Sequence, residues 1–252
     1  MNSEDSLGGK IMTYLAIVIA LLLVGVAMGV QLMTDSPEIR PFDLLPSMMR
    51  GLSTTIGLTV FGSILALFVA VFTGVLRSSS NRIVSGLAGA YVEVFRGTSI
   101  LVQLFWIFFV LPFFGISIPA FQAGVLAMGL NVGAYGAEVV RGAIKSIPRG
   151  QIEASIALNM SYTLMMRRII IPQALVRIVP PFGNLLIELL KATAVVSLIT
   201  LADVTFQANT LRQSVGISRV PEIYTLLLMI YFLLAYPITL GVRWIERQRK
   251  WA

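Results

Sequence analysis

The sequence predicts an all-α fold, a polytopic bundle of membrane-spanning helices with about six spans. Three observations carry that expectation. Of the 252 residues 57% are hydrophobic, only 12% are charged, and the mean hydropathy is +0.87. A water-soluble chain of this length has a polar surface to cover and cannot be this apolar. One crossing needs about 20 apolar residues, and six stretches qualify: 11–33, 51–76, 97–116, 120–141, 182–201 and 223–245. No sizeable soluble domain fits in the remainder. The chain divides into an N-terminal span with its external connector (1–44), a bundle domain (45–247) containing a polar insert (146–172), and a basic tail (248–252).

The net charge is +7, and its placement decides what it means. If the insert faces the cytoplasm, Lys10, Arg77, Arg82, Arg96, Arg141, Lys145, Arg149, Arg167, Arg168, Arg177, Arg243, Arg247, Arg249 and Lys250 lie inside. Only Arg40, Arg50, Arg212 and Arg219 then lie outside, and Lys191 falls within a span. Such asymmetry follows the positive-inside rule and puts both termini in the cytoplasm. The basic excess therefore reports topology, and no nucleic-acid partner is expected. With no cysteine and no histidine, disulfides, thiolate metal sites and histidine acid–base chemistry are excluded.

The first apolar stretch reads as an uncleaved anchor or as a signal peptide with Ala27-Met28-Gly29 at its cleavage site. The acidic head Asn2-Ser3-Glu4-Asp5 and the length of the run favour the anchor. Residues 34–50 carry Pro37, Pro41 and Pro46 and form an external connector ending in a short surface helix. Arg77-Ser78-Ser79-Ser80-Asn81 is a turn. From Ile83 the apolar positions Ile83, Val84, Leu87, Tyr91, Val94 and Phe95 recur with helical period. They describe either an amphipathic helix at the inner interface or a span that begins early, with Glu93 paired to Arg96. The fourth segment holds Gly124, Gly129, Gly133, Gly136 and Gly142, so it should lie centrally in the bundle or at a subunit interface, with close packing within the subunit the favoured reading. Trp106, Trp244, Trp251, Tyr14 and Tyr224 sit near span ends, as interfacial aromatics do.

Three constellations carry chemistry. In the insert, Pro148 opens a helix, with Ile152, Ile156 and Asn159 on one face and the small residues Ala154, Ser155 and Ala157 leaving low relief. Asn159 tolerates the left-handed conformation that ends a helix. Ser161 caps a second helix, which Pro172 stops. This is a docking platform for another protein or a plain interfacial loop. In 182–201, Asn184, Glu188 and Lys191 share one helical face while Thr193, Ser197 and Thr200 lie opposite. Glu188 and Lys191 form a buried ion pair, or with the hydroxyls they line a solute path; Pro180-Pro181 just before should break the helix. Glu138 with Arg141, one turn apart, is an inner gate or an interfacial anchor.

Glu153-Ala154-Ser155, Asn159, Ser161 and Ile171-Pro172 resemble the EAA loop of ATP-binding-cassette importer permeases. Tyr91-Val92-Glu93-Val94-Phe95-Arg96-Gly97-Thr98, Leu101-Val102-Gln103-Leu104, Gly133-Ala134-Tyr135 with Glu138 and Arg141-Gly142, and Ser146-Ile147-Pro148-Arg149-Gly150-Gln151 resemble its polar-amino-acid branch. The resemblance spans about 45–247, with Ser155, Asn159 and Ala194 as departures from the usual Ala, Gly and Ser. It implies a type I importer transmembrane domain with a five-span core plus the extra first span, in a bacterial inner membrane. Implied partners are a pair of cytoplasmic ATP-binding subunits, a second permease subunit (identical or related), an extracytoplasmic solute-binding protein and the lipid bilayer. The cargo implied is a polar amino acid or another zwitterion, an ectoine-type compatible solute included. Glu153, Ala154, Ser155, Asn159 and Ser161 would form the ATPase-docking loop. The chain has no phosphate-cradling G-x-x-x-x-G-K-[ST] loop, so it is expected to be no enzyme and to bind no cofactor, ATP residing on the partner. A secondary transporter would need inverted repeats and coupling acids, and a membrane enzyme would need catalytic groups; neither set is present.

Overall fold

The computed structural model describes residues 44–79, 81–215 and 217–248. The expected first span (11–33), its connector up to residue 43 and the end of the tail lie outside the described residues. Every element among the described residues is helical. In chain order they are α1 (Leu45–Met49), α2 (Leu52–Arg77), α3 (Arg82–Gly97), α4 (Ile100–Phe105), α5 (Ala120–Lys145), α6 (Arg149–Ala157), α7 (Tyr162–Met165), α8 (Ile171–Ala192), α9 (Val204–Ser214) and α10 (Val220–Gln248). Four helical stretches are long and apolar enough to cross a bilayer: Leu45–Arg77, Ala120–Lys145, Thr163–Ile199 and Ile217–Glu246. A bent pair, Arg82–Gly97 with Ile100–Phe114 at 102°, is apolar enough to make a fifth span if its two limbs count as one.

The centre of the bundle is the crossing of α2 with α5, and glycine creates it. A Cβ on Gly129 or Gly133 would lie 2.5 or 2.8 Å from Leu65 or Val69, and one on Gly74 would lie 2.6 Å from Val140. In lipid no hydrophobic force drives helices together, so close backbone approach with van der Waals packing must do so. Gly136 sits where three helices meet, its missing Cβ 2.6 Å from that of Ala70 and 2.9 Å from the Phe182 ring. Gly136→Val should therefore lower bundle stability by about 1–3 kcal/mol through overpacking, measurable as a reduced Tm of the detergent-purified protein. An unchanged Tm would mean that the crossing is looser than drawn.

The expected span at 97–116 forms the second limb of the bent pair, set off from the amphipathic helix before it by the 102° bend, so the alternative of one span that begins early is not what forms. Asn81 caps α3, its side-chain oxygen accepting from Ile83 N–H (2.9 Å) and Val84 N–H (3.4 Å). Polar groups fasten the bend: Gln103 donates to Phe95 O (2.9 Å) and Thr98 Oγ1 (2.7 Å), and Asn131 donates to Phe95 O (2.9 Å). The Glu93–Arg96 pair that went with the early-span alternative is not formed among the described residues. Arg96 lies over the Tyr135 ring at 5.0 Å instead. Beyond α4 the chain passes through a π turn (Trp106–Val110) and a 3-10 turn (Leu111–Phe114) before Gly115 reverses it at φ 79°.

Two expectations about proline are overturned. Pro172 does not stop a helix; it occupies the first turn of α8, and the chain stays helical from Thr163 to Ile199. The π turn at Met166–Ile170 immediately precedes it. That widened turn makes room where a proline ring would clash with the carbonyl one turn back. Pro180 and Pro181 also lie inside α8. Away from water, a helix remains the cheapest way to satisfy the rest of the backbone, so two missing donors do not end it.

Candidate functional site

The insert begins where Pro148 takes an extended conformation ahead of α6. One side of α6 faces the bundle: Ser155 is 1% exposed and its hydroxyl donates to Gln151 O. Ile147, Met165 and Ile170 are buried there, with Ile144, Ile152, Met160 and Met166 packed around them. Arg177 donates to Ser146 O and ties α8 to the start of the insert. The other side carries Glu153, Ala154, Ile156, Ala157, Leu158 and Asn159, all exposed. Ser155 thus belongs to the anchoring side, and Ile156 (65% exposed) and Leu158 (74% exposed) add apolar surface to the outer one.

Asn159 has φ 54°, the left-handed conformation its side chain was expected to permit. The helix closes around it by two bonds, Asn159 N–H to Ile156 O (2.8 Å) and Met160 N–H to Ser155 O (3.1 Å). These satisfy carbonyls that the helix end would leave orphaned. Ser161 accepts from Leu164 N–H (3.3 Å) and so caps the next helix as expected. The hinge is built by backbone geometry at one residue, and it fixes which face of α6 points away from the bundle.

In the α8 span Asn184, Glu188 and Lys191 are exposed on one stripe. Among the described residues no ion pair joins Glu188 to Lys191. The expected pair is therefore open, and its two charges project from the surface of the single chain. Thr193, on the opposite side, is buried, its hydroxyl donating to Leu190 O (2.7 Å) and lying 3.3 Å from the Tyr231 hydroxyl. Ser197 is half-buried and donates to Ala194 O (2.8 Å).

Thr193 leads to a buried polar cluster that the sequence reading missed. Asp203 is fully buried and caps α9 by accepting from Phe206 N–H (2.7 Å). Tyr231 donates toward Asp203 (3.4 Å) and lies 2.9 Å from Thr205 Oγ1. Val204 N–H donates to Thr55 Oγ1 (3.2 Å), so α2, the 3-10 turn after α8 (Thr193–Ile199), α9 and α10 meet here. Gly51 permits the contact, since a Cβ there would lie 2.3 Å from the Asp203 carbonyl carbon. Asp203 before an amphipathic run was legible as a helix cap; its long-range partners were not.

Burial pushes the Asp203 carboxyl above its ordinary range, opposed by the N–H groups of Phe206 and Thr205 and by the hydroxyls of Thr205 and Tyr231. A folded-state value raised above the unfolded one, near 3.9, favours the folded chain at low pH. That contribution fades as pH rises through the raised value. Asp203→Asn keeps an acceptor without the charge, so its Tm advantage over the parent should grow as the pH is raised from 4 to 7. A pH-independent difference would show that Asp203 remains ionised throughout.

Glu138 and Arg141 pair as expected, at 2.7 Å. The structure adds Arg77 from α2, whose Nε lies 2.7 Å from the other Glu138 oxygen. A single carboxylate thus joins the insert ends of α2 and α5. Arg77 sits 61 residues before Glu138 in the chain (138 − 77), beyond the reach of any local pairing rule.

Residues 66–251 match the family described as binding-protein-dependent transport system inner membrane component. A probable amino-acid ABC transporter permease of Sinorhizobium fredii is 42% identical over 210 residues, 81% of this chain and 87% of that protein. The L-cystine transport system permease of Bacillus subtilis is 34% identical, covering 82% of this chain and 91% of that one. Among solved structures, an amino acid ABC transporter crystallised with histidines superposes with a TM-score of 0.76 at 36% identity, over 83% of this chain and 99% of that chain. The helical bundle, its glycine crossing and its hinged polar insert are those of a protein that belongs to the family of binding-protein-dependent transport system inner membrane components.

Proposed function

We propose that this chain is the membrane-spanning permease subunit of an ATP-driven importer for a polar amino acid or a similar zwitterion, working by alternating access. The observation that carries the reading is α6. It is a short helix anchored on one side by Ser155 and Ile147 and presenting Glu153, Ala154, Ile156, Ala157 and Leu158 on the other. An exposed surface of small and apolar residues around one carboxylate suits insertion into a groove of a cytoplasmic ATP-binding subunit. Two permease subunits would enclose the path, each gripped by one ATPase, with a solute-binding protein delivering cargo from outside. On this reading the insert and both chain ends face the cytoplasm, as the Lys/Arg distribution supports.

The chain has no native cysteine, so Ala154→Cys or Ala157→Cys introduces a unique thiol. Short bifunctional cross-linkers on these variants should capture the ATP-binding subunit in native membranes. Labelling of the same thiols only by reagents added from outside would reverse the topology and end the proposal.

A further inference from the structure

At the insert end of the bundle, α2, α3 and α5 enclose a pocket of about 510 Å³. Arg77, Arg82, Arg141 and Lys145 line it, against the single carboxylate Glu93. Glu138, behind the pocket, holds Arg77 by its Nε and Arg141 by its guanidinium. Arg77 Nη1 is left buried with no hydrogen-bond partner. It lies 3.2 Å from where a Cβ of Gly89 would stand, so the absence of a side chain at Gly89 gives the guanidinium its place. Arg82 and Lys145 are exposed and make no ion pair among the described residues. A buried donor without an acceptor is costly, and several cations directed at one hollow call for an anion with several acceptor oxygens.

The helix that forms one wall narrows the choice. Arg82, Gly86, Gly89 and Glu93 run along its pocket side, while Ile83, Leu87 and Val94 form an exposed apolar stripe about 100° around the same helix. A cationic hollow beside an apolar ridge is complementary to an amphiphile with a phosphate head and hydrocarbon tails. We propose that this pocket binds the head-group phosphate of an anionic phospholipid, its acyl chains lying along Ile83, Leu87 and Val94. Inorganic phosphate shares the head-group chemistry but makes no use of the ridge. Glu93, one carboxylate among four cations in the lining, leaves the pocket cationic and offers an acceptor to head-group hydroxyls.

The test is native mass spectrometry of the full-length permease, alone and with its ATP-binding subunits. Phosphatidylglycerol is titrated against phosphatidylcholine of matched chains. The parent should retain phosphatidylglycerol about tenfold better. R82Q/K145Q should fall to the phosphatidylcholine level, whereas R50Q/R212Q, which removes the same charge at the opposite end, should not. Three results would overturn the proposal: equal retention of both lipids, undiminished retention by R82Q/K145Q, or displacement of the lipid by millimolar inorganic phosphate. Retention lost whenever the ATP-binding subunits are present would instead make the pocket a protein contact and overturn it too. Because adducts are scored on the permease itself, the first three outcomes do not depend on the docking role of α6.

Discussion

Glu153→Lys is expected to abolish ATP-driven uptake, by on the order of a hundredfold or more, while the protein still inserts and folds. Glu153 is the one carboxylate on the outward face of α6, flanked by Ala154, Ile156 and Ala157 and held clear of the bundle by the Asn159 hinge. It is exposed and makes no ion pair among the described residues that its loss could disturb. Its partner on the proposed ATP-binding subunit must then be basic, and reversing the charge sets like against like in a desolvated contact, where such juxtaposition is strongly unfavourable. Glu153→Gln removes the attraction without adding repulsion and should cost far less. The measurements are uptake into proteoliposomes and co-purification of the ATP-binding subunit, each with the permease Tm as control. Undiminished co-purification of Glu153→Lys would place the docking surface elsewhere.

The insert was legible because its determinants are local. Pro148, Asn159 and Ser161 each act through the backbone within a few residues, and each does in the structure what its chemistry dictates. The glycine stripe of α5 was legible for the same reason, since a missing Cβ has one use between helices in lipid. Pro172 and Pro180-Pro181 misled because proline's local cost was weighed without the surroundings. A π turn absorbs the first, and an apolar environment with no water to take over the backbone bonds keeps the others helical. The 102° bend was half visible, in the amphipathic pattern from Ile83, but the polar clasp of Gln103 and Asn131 on Phe95 joins residues far apart in the chain. Arg77 on Glu138 and Tyr231 on Asp203 are of the same kind. A single sequence reveals which residues can pair, and only the fold chooses among them.

Lys191→Ala is expected to raise the solute concentration for half-maximal uptake about tenfold or more, with insertion and Tm unchanged. The argument starts from where Lys191 cannot be. A charge on a helix facing lipid costs about 2.5–3.5 kcal/mol on insertion scales, and Glu188 and Lys191 are both exposed on the α8 span without pairing to one another. Their stripe, shared with Asn184, must therefore meet water or polar groups of another subunit. On the proposed pairing, a path between two permease subunits would supply both, and opposite charges one helical turn apart match the carboxylate and ammonium of a zwitterion. Lys191→Arg should keep most of the affinity, because it keeps the charge, while Glu188→Gln should weaken the ammonium end. If Lys191→Ala leaves uptake affinity and rate untouched, the stripe is no part of the path. If it dissociates the permease pair in detergent instead, the charge serves subunit packing, and solute recognition lies elsewhere.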